Sequence, residues 1–83
     1  MNNTILRQID VTDEFQPLAN EKTVASVTVS CPPTNAANVT LKSADGEAMM
    51  IPGEWQEFHR IDLSELQVKG TAGDIVSVIG GTW

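Results

Sequence analysis

The run Ile75 to Ile79 sets the tightest limit on the fold, because successive residues of a strand face opposite sides and this run is apolar on both. Ile75 and Ile79 point one way, Val76 and Val78 the other, and only Ser77 is polar. Such a strand needs cover on each face. In a chain of 83 residues an opposing sheet covers one face, so the other calls for an N-terminal arm or a neighbouring subunit.

The residues leading into this run are dense in turn signals. Pro52-Gly53 suits the centre of a type II turn, since proline presets the first φ and glycine takes the positive second φ without a clash. A strand is therefore expected from about Glu54. Trp55 and Phe58, three apart, break strand parity, which predicts a bulge or a change of face near Glu57. Asp62-Leu63-Ser64-Glu65 has the form of a capping box with room for one helical turn. Leu66 and Val68 alternate with Gln67 and Lys69 as in a half-buried strand. Gly70 to Asp74, with two glycines, reads as a longer, bulged hairpin connection in which Asp74 bonds local backbone, and Gly80-Gly81 as the end of the last strand.

Upstream, Ile5, Ile9 and Val11 among polar residues predict an extended first strand or, equally, an arm that exchanges. Phe15 to Leu18 is a short extended piece that Pro17 confines to a sheet edge. Val24 to Cys31 alternates cleanly, with Ala25, Val27, Val29 and Cys31 on one side and Ser26, Thr28 and Ser30 on the other. Val39 to Lys42 and Ala48 to Ile51 form a pair around the Asp45-Gly46 hairpin signal. Short strands at this spacing, with no helical period longer than a turn, predict one all-β domain over residues 1–83. The expected form is a compact antiparallel β-sandwich, jelly-roll-like, with residues 1–20 as a first strand or extended arm.

A domain of this length buries only about 60–65% of the surface its unfolded chain exposes, so it needs added support. Cys31 is the single cysteine, which excludes an internal disulfide, and no Cys/His cluster offers a zinc site. Oligomerisation remains. A net charge of −6 with five Lys and Arg residues argues against nucleic acid and against anionic membranes. No apolar run spans a bilayer, and the N-terminus lacks the pattern of a signal peptide, so synthesis in a cytoplasm is expected.

Candidates for chemistry are few. A nucleophile and base would have to be Cys31 and His59, but Cys31 has the inward parity of its strand and reads as a small core residue, and His59 as a surface or interface residue. Asp10, Asp13 and Glu14, and separately Asp62 and Glu65, lack the dense spacing of a calcium loop and read as turn and cap residues. Trp55 and Trp83 could stack a sugar, although burial in a core or contact explains tryptophan at least as simply. Met49 and Met50 read as gap fillers. No catalytic residue, metal or cofactor is expected. The core or contact candidates are Trp55, Phe58, Val76, Val78 and Trp83.

In the order of its parts the chain resembles small virion proteins of tailed bacteriophages and related short domains at the ends of phage head and tail proteins. The parts are VASVTVSCPP, NVTLKSADG, MIPGEWQEF, IDLSELQVKG and TAGDIVSVIGG. Pro52, Gly53 and Glu54 match a turn typical of such chains; Asp62, Leu63, Leu66, Val68, Gly70, Ala72, Gly73 and Asp74 match their typical ending, where Gln67 stands in place of a frequent tyrosine. The resemblance implies a non-enzymatic virion structural protein, made in the host bacterial cytoplasm, more than a particular place on the particle; the acidic charge, suited to a face away from packaged DNA, and the doubly apolar last strand make a capsid decoration or cement protein on the shell exterior the expected role. Its expected partners are copies of itself, as a trimer, and the major capsid protein or another virion protein. The alternatives are a tail, head-fibre or adaptor component, or a small carbohydrate-binding β-sandwich module.

Overall fold

The computed structural model describes residues 3–82. They form eight strands: β1 Thr4–Asp10, β2 Gln16–Pro17, β3 Val24–Ser30, β4 Val39–Lys42, β5 Glu47–Met50, β6 Trp55–Asp62, β7 Gln67–Lys69 and β8 Ile75–Thr82. A single 3₁₀ turn, Leu63–Glu65, precedes β7. Each expected strand is present, and β2, cut to two residues at Pro17, lies on a sheet edge.

Two four-stranded antiparallel sheets result, in the orders β1-β8-β3-β6 and β2-β7-β4-β5. The pairings follow one rule. β1 bonds to β8, β2 to β7, β3 to β6 and β4 to β5, so the chain is a long antiparallel ribbon whose first four strands are met by the last four returning. Rolling that ribbon brings β8 against β3 and β7 against β4, which closes each sheet. This is the jelly-roll form of the sandwich. The expected arm is β1, hydrogen-bonded along β8 from Thr4↔Gly81 to Asp10↔Ile75. Met1 and Asn2 of that segment lie outside the described residues, as does Trp83.

The core sits between the sheets. Val27, Val29, Val76 and Val78 from the first sheet meet Val39, Leu41, Met50 and Val68 from the second, and Val11, Leu18, Leu63 and Leu66 close the ends. Fully burying a valine or leucine contributes about 1.5–3 kcal/mol, so these alternating positions carry the fold.

Local turns form as their residues dictate, but three connections differ from expectation. Gly53 takes φ 97°, and Glu54 N–H donates to the Ile51 carbonyl at 3.0 Å, as a type II turn requires. The Gly70–Asp74 segment is not a hairpin. Asp74 N–H closes a turn onto the Thr71 carbonyl at 3.0 Å, yet β7 and β8 belong to different sheets, so the segment arches over the core; turn chemistry alone does not specify which strand lies beside which. Nor do Gly80-Gly81 end the last strand. They pair with β1 and β3, because a ladder on both flanks satisfies their backbone groups without help from side chains.

The third difference concerns β6. Trp55 and Phe58 face opposite sides by plain alternation, Trp55 opposite Ser30 and Phe58 opposite Val27. The irregularity comes later, where three steps from Phe58 to Ile61 match two from Val27 to Ala25. Arg60 absorbs the extra residue with φ 52°, and its N–H donates to the Ser26 hydroxyl at 3.1 Å. The bulge keeps both Phe58 and Ile61 on the core side, where they pack against it.

Of the glycines, Gly80 has the least room for a side chain. A Cβ at this position would strike the Ser26 carbonyl oxygen and lie 2.6 Å from the Val27 Cα, whereas at Gly81 the nearest neighbour, the Asn3 carbonyl oxygen, is 3.5 Å away. Gly80→Ala is expected to cost about 1–3 kcal/mol in urea unfolding, and Gly81→Ala less than about 0.5 kcal/mol. Equal effects would remove the close β3–β8 approach as the cause.

Candidate interaction surface

Antiparallel register decides which side chains share a face. Leu6 of β1 lies opposite Ile79 of β8 on the outer side of the first sheet, and the two are 72% and 55% exposed. Paired large side chains of this kind, out of contact with the core, form an apolar ridge. Thr28 of β3 separates the ridge from Glu57 of β6, since Thr28 is opposite both Ile79 and Glu57. One register step away, Ser30 lies between Ser77 and Trp55, and Trp55 is 57% exposed. Val24 adds a further exposed apolar side chain on β3.

Of the residues expected in the core or a contact, Val76 and Val78 are completely buried within the chain itself. Of the two readings open for Val76 and Val78, core or contact, the core is the one they take, and the side of β8 left for an external partner is not theirs. The outward side is instead that of Ile75, Ser77 and Ile79, because Val78 pairs with Val29 on the core face of β3. β1 does not cover that outward side either; it lies beside β8, edge to edge. Phe58 is half-buried against the core, and Trp55 is on the outer face. Trp83 is outside the described residues. Met50 is buried and Met49 exposed.

Sequence reasoning did not single out Leu6. Its outward parity was legible beside Ile5 and Ile9, but its cross-strand partner depends on the β1–β8 register, which no local pattern supplies.

Asn35 carries no signal that sequence reasoning used, and Asp74 reads there as a residue bonding only its own turn; both are buried polar residues. The Asn35 side chain imitates a strand: its Oδ1 accepts from Ile75 N–H at 3.0 Å and its Nδ2 donates to the Ile75 carbonyl at 2.7 Å. Nδ2 also lies 3.3 Å from the Cys31 sulfur. The Asp74 carboxylate accepts from the N–H groups of Ala36 and Ala37 at 2.9 and 3.1 Å, and the Asp74 carbonyl accepts from Val11 N–H at 3.1 Å. Asp74 is thus not satisfied locally, as expected from its turn, but by a loop far away in the chain. Together the two residues pin the loop after β3 and the end of β1 to the start of β8.

Asp62 caps the 3₁₀ turn. Its Oδ1 accepts from Ser64 N–H at 3.0 Å, from the Ser64 hydroxyl at 2.7 Å and from Thr23 N–H at 3.1 Å, while the reciprocal bond of a capping box, Asp62 N–H to the Glu65 carboxylate, is not among the described hydrogen bonds. The Ser64 hydroxyl first, then the Ser64 N–H, hold the carboxyl below its usual range; Thr23 N–H and the Lys22 charge add to this, and burial opposes it.

Cys31 is buried in the core, while His59 is exposed beside Glu57 at 3.8 Å. Cys31 N–H bonds to the Glu54 carbonyl, so His59 lies five residues further along, roughly 17 Å at the rise of a strand. The fold does not bring the two together. Among the described residues no three His, Cys, Asp or Glu side chains gather as a metal site would need, and no helix is long and apolar enough to cross a membrane. Compared with known proteins, the chain matches no protein-family model, no curated protein and no solved structure.

Replacing Asp74 with Ala leaves two backbone donors without their acceptor, an expected loss of about 1–3 kcal/mol, whereas Thr71→Ala in the same turn should be near neutral by thermal unfolding. For Asp62 the folded-state pKa lies below the unfolded one. Its contribution is therefore complete above the unfolded pKa and is lost as pH falls through the folded value. Asp62→Asn, which can still cap, is expected to flatten the acid side of the stability profile; an unchanged slope would assign that slope to other carboxylates.

Proposed function

We propose that the chain is a non-enzymatic structural protein of a bacteriophage virion, a capsid decoration or cement protein that assembles with copies of itself, as a trimer, on the outside of the shell. The observation that carries this reading is the exposed Leu6–Ile79 ridge, with Val24 and Trp55 on the same face. A small soluble chain gains by covering such a surface, and a symmetric oligomer or a capsid protein is the cover this reading supplies. The net charge of −6 suits a surface turned away from packaged DNA. Support also comes from the likeness of the Pro52–Glu54 and Asp62–Asp74 motifs to those of phage virion chains, and from a jelly roll, an architecture that viral capsid domains use. The work is mechanical: each copy buries apolar area against its neighbours and adds interface free energy to the shell.

A second reading, a carbohydrate-binding module, is favoured by Trp55 alone, which stands exposed beside Ser30 in a manner open to a sugar ring.

Leu6→Lys and Ile79→Lys are each expected to weaken binding to purified capsids lacking the protein by at least about tenfold, or about 1.4 kcal/mol, without lowering the unfolding midpoint. Sedimentation of the unaltered chain should show concentration-dependent association. A monomer at all concentrations that also fails to bind capsids removes the reading. Binding on a glycan array that is lost in Trp55→Ala supports the carbohydrate module in its place.

A further inference from the structure

The two long sides of the sandwich are finished differently. On the β1–β2 side Arg7 faces inward, and its Nη1 donates to the Leu18 carbonyl at 2.9 Å, bridging the sheets above buried Val11 and Leu18. An inward charge on an edge strand also discourages further strand addition there. The β5–β6 side has no such bridge among the described hydrogen bonds, and its two edge strands are unequal: β5 has four residues and β6 eight. Phe58 and Ile61 therefore run past the cover that β5 provides and stay half-buried.

The mismatch leaves a groove. Two adjoining depressions share Ser43, Phe58 and Leu66; one extends to Ala48 and the Asp45-Gly46 turn, the other to Ile61 and Asp62. The floor is apolar, from Leu41, Ala48, Phe58, Ile61 and Leu66. The rim is acidic. Asp45, Glu47, Asp62 and Glu65 line it, against Arg60 and Lys42, and the Lys42 ammonium is drawn 4.9 Å from the centre of the Phe15 ring. The hydrogen bonds to Asp62 keep that carboxylate charged. β5 bonds to β4 alone and β6 to β3 alone among the described strands, so each offers an edge whose outward N–H and C=O groups are open to a partner.

We propose that this groove docks an extended segment of a partner protein in which apolar residues alternate with lysine or arginine. Its apolar side chains lie on Phe58, Ile61 and Leu66, its cations meet the carboxylates of the rim, and its backbone pairs with the regular stretch of β6, Trp55 to Phe58. Charge complementarity selects the occupant: an acidic segment would face four carboxylates, and a purely apolar one would leave them unused. The Arg60 bulge limits strand addition to that stretch, which makes the site short and specific. The proposal does not rest on the virion reading: the Leu6–Ile79 ridge lies on β1 and β8, β1 and β6 are opposite edges of their sheet, and Trp55 alone belongs to both surfaces.

The test is a display library of random linear peptides selected on the purified chain. Recovered peptides are expected to alternate apolar residues with Lys or Arg, to bind more weakly as salt rises, and to slow amide exchange at residues 55–58. Ala48→Arg and Glu65→Lys, both at exposed positions, should each reduce that binding at least tenfold with an unchanged unfolding midpoint, whereas Leu6→Lys with Ile79→Lys should leave it intact. Failure to enrich any peptide, enrichment of acidic peptides, indifference to Ala48→Arg and Glu65→Lys, or protection confined to β1 and β8 would each overturn the proposal. Loss of capsid binding with the peptide site intact would strike the virion reading alone.

Discussion

The ladder that holds β8 between β1 and β3 is the interaction on which the rest of this molecule depends. It joins the last strand of the ribbon to the first and to the third, so the roll closes only when it forms. Val76 and Val78 then enter the core with Val29 beside them, and Gly80 permits an approach to β3 that any side chain would obstruct. The polar pins at Asn35 and Asp74 act at the same strand, fixing where β8 begins. Apolar burial supplies the gross driving force, while the ladder and pins choose a single register from those that burial alone would tolerate.

That register has a surface consequence. Seating the valines inward commits Ile79 to the outside, where the β1 pairing sets Leu6 beside it. The apolar ridge is thus the unavoidable reverse of a well-filled core. The opposite edge of the same sheet obeys another constraint: a bulge holds Phe58 and Ile61 toward a core that the short β5 does not fully roof. One sheet therefore presents a ridge at one edge and an acidic, apolar-floored groove at the other. The single thiol and single imidazole lie on different parts of the molecule, one buried and one exposed.

Much of the fold was legible because its signals are local. Pro52-Gly53 turns the chain wherever it is placed, Asp45-Gly46 closes a hairpin between adjacent strands, Pro17 confines a strand to an edge, and the alternation from Val24 to Cys31 separates a core face from a wet one. The misreadings share a cause. The Gly70–Asp74 turn was legible but its destination in the other sheet was not; the spacing of Trp55 and Phe58 reads as a parity break, but these two simply face opposite sides and the bulge lies further on, between Phe58 and Ile61. Asp74 looked like an ordinary turn residue because its true partners, Ala36 and Ala37, are nearly half the chain away.

By itself the sequence determined which segments are strands, where they turn, and that β8 has two apolar faces, since each of these follows from side-chain parity and from the backbone preferences of proline, glycine and aspartate. Only the tertiary structure decided which face of β8 is inside, which strands are neighbours, and so that Leu6 and Ile79 are exposed while Val76 and Val78 are buried. The reason is physical: parity is a property of consecutive residues, whereas register and burial arise from pairing between segments that are distant in the chain.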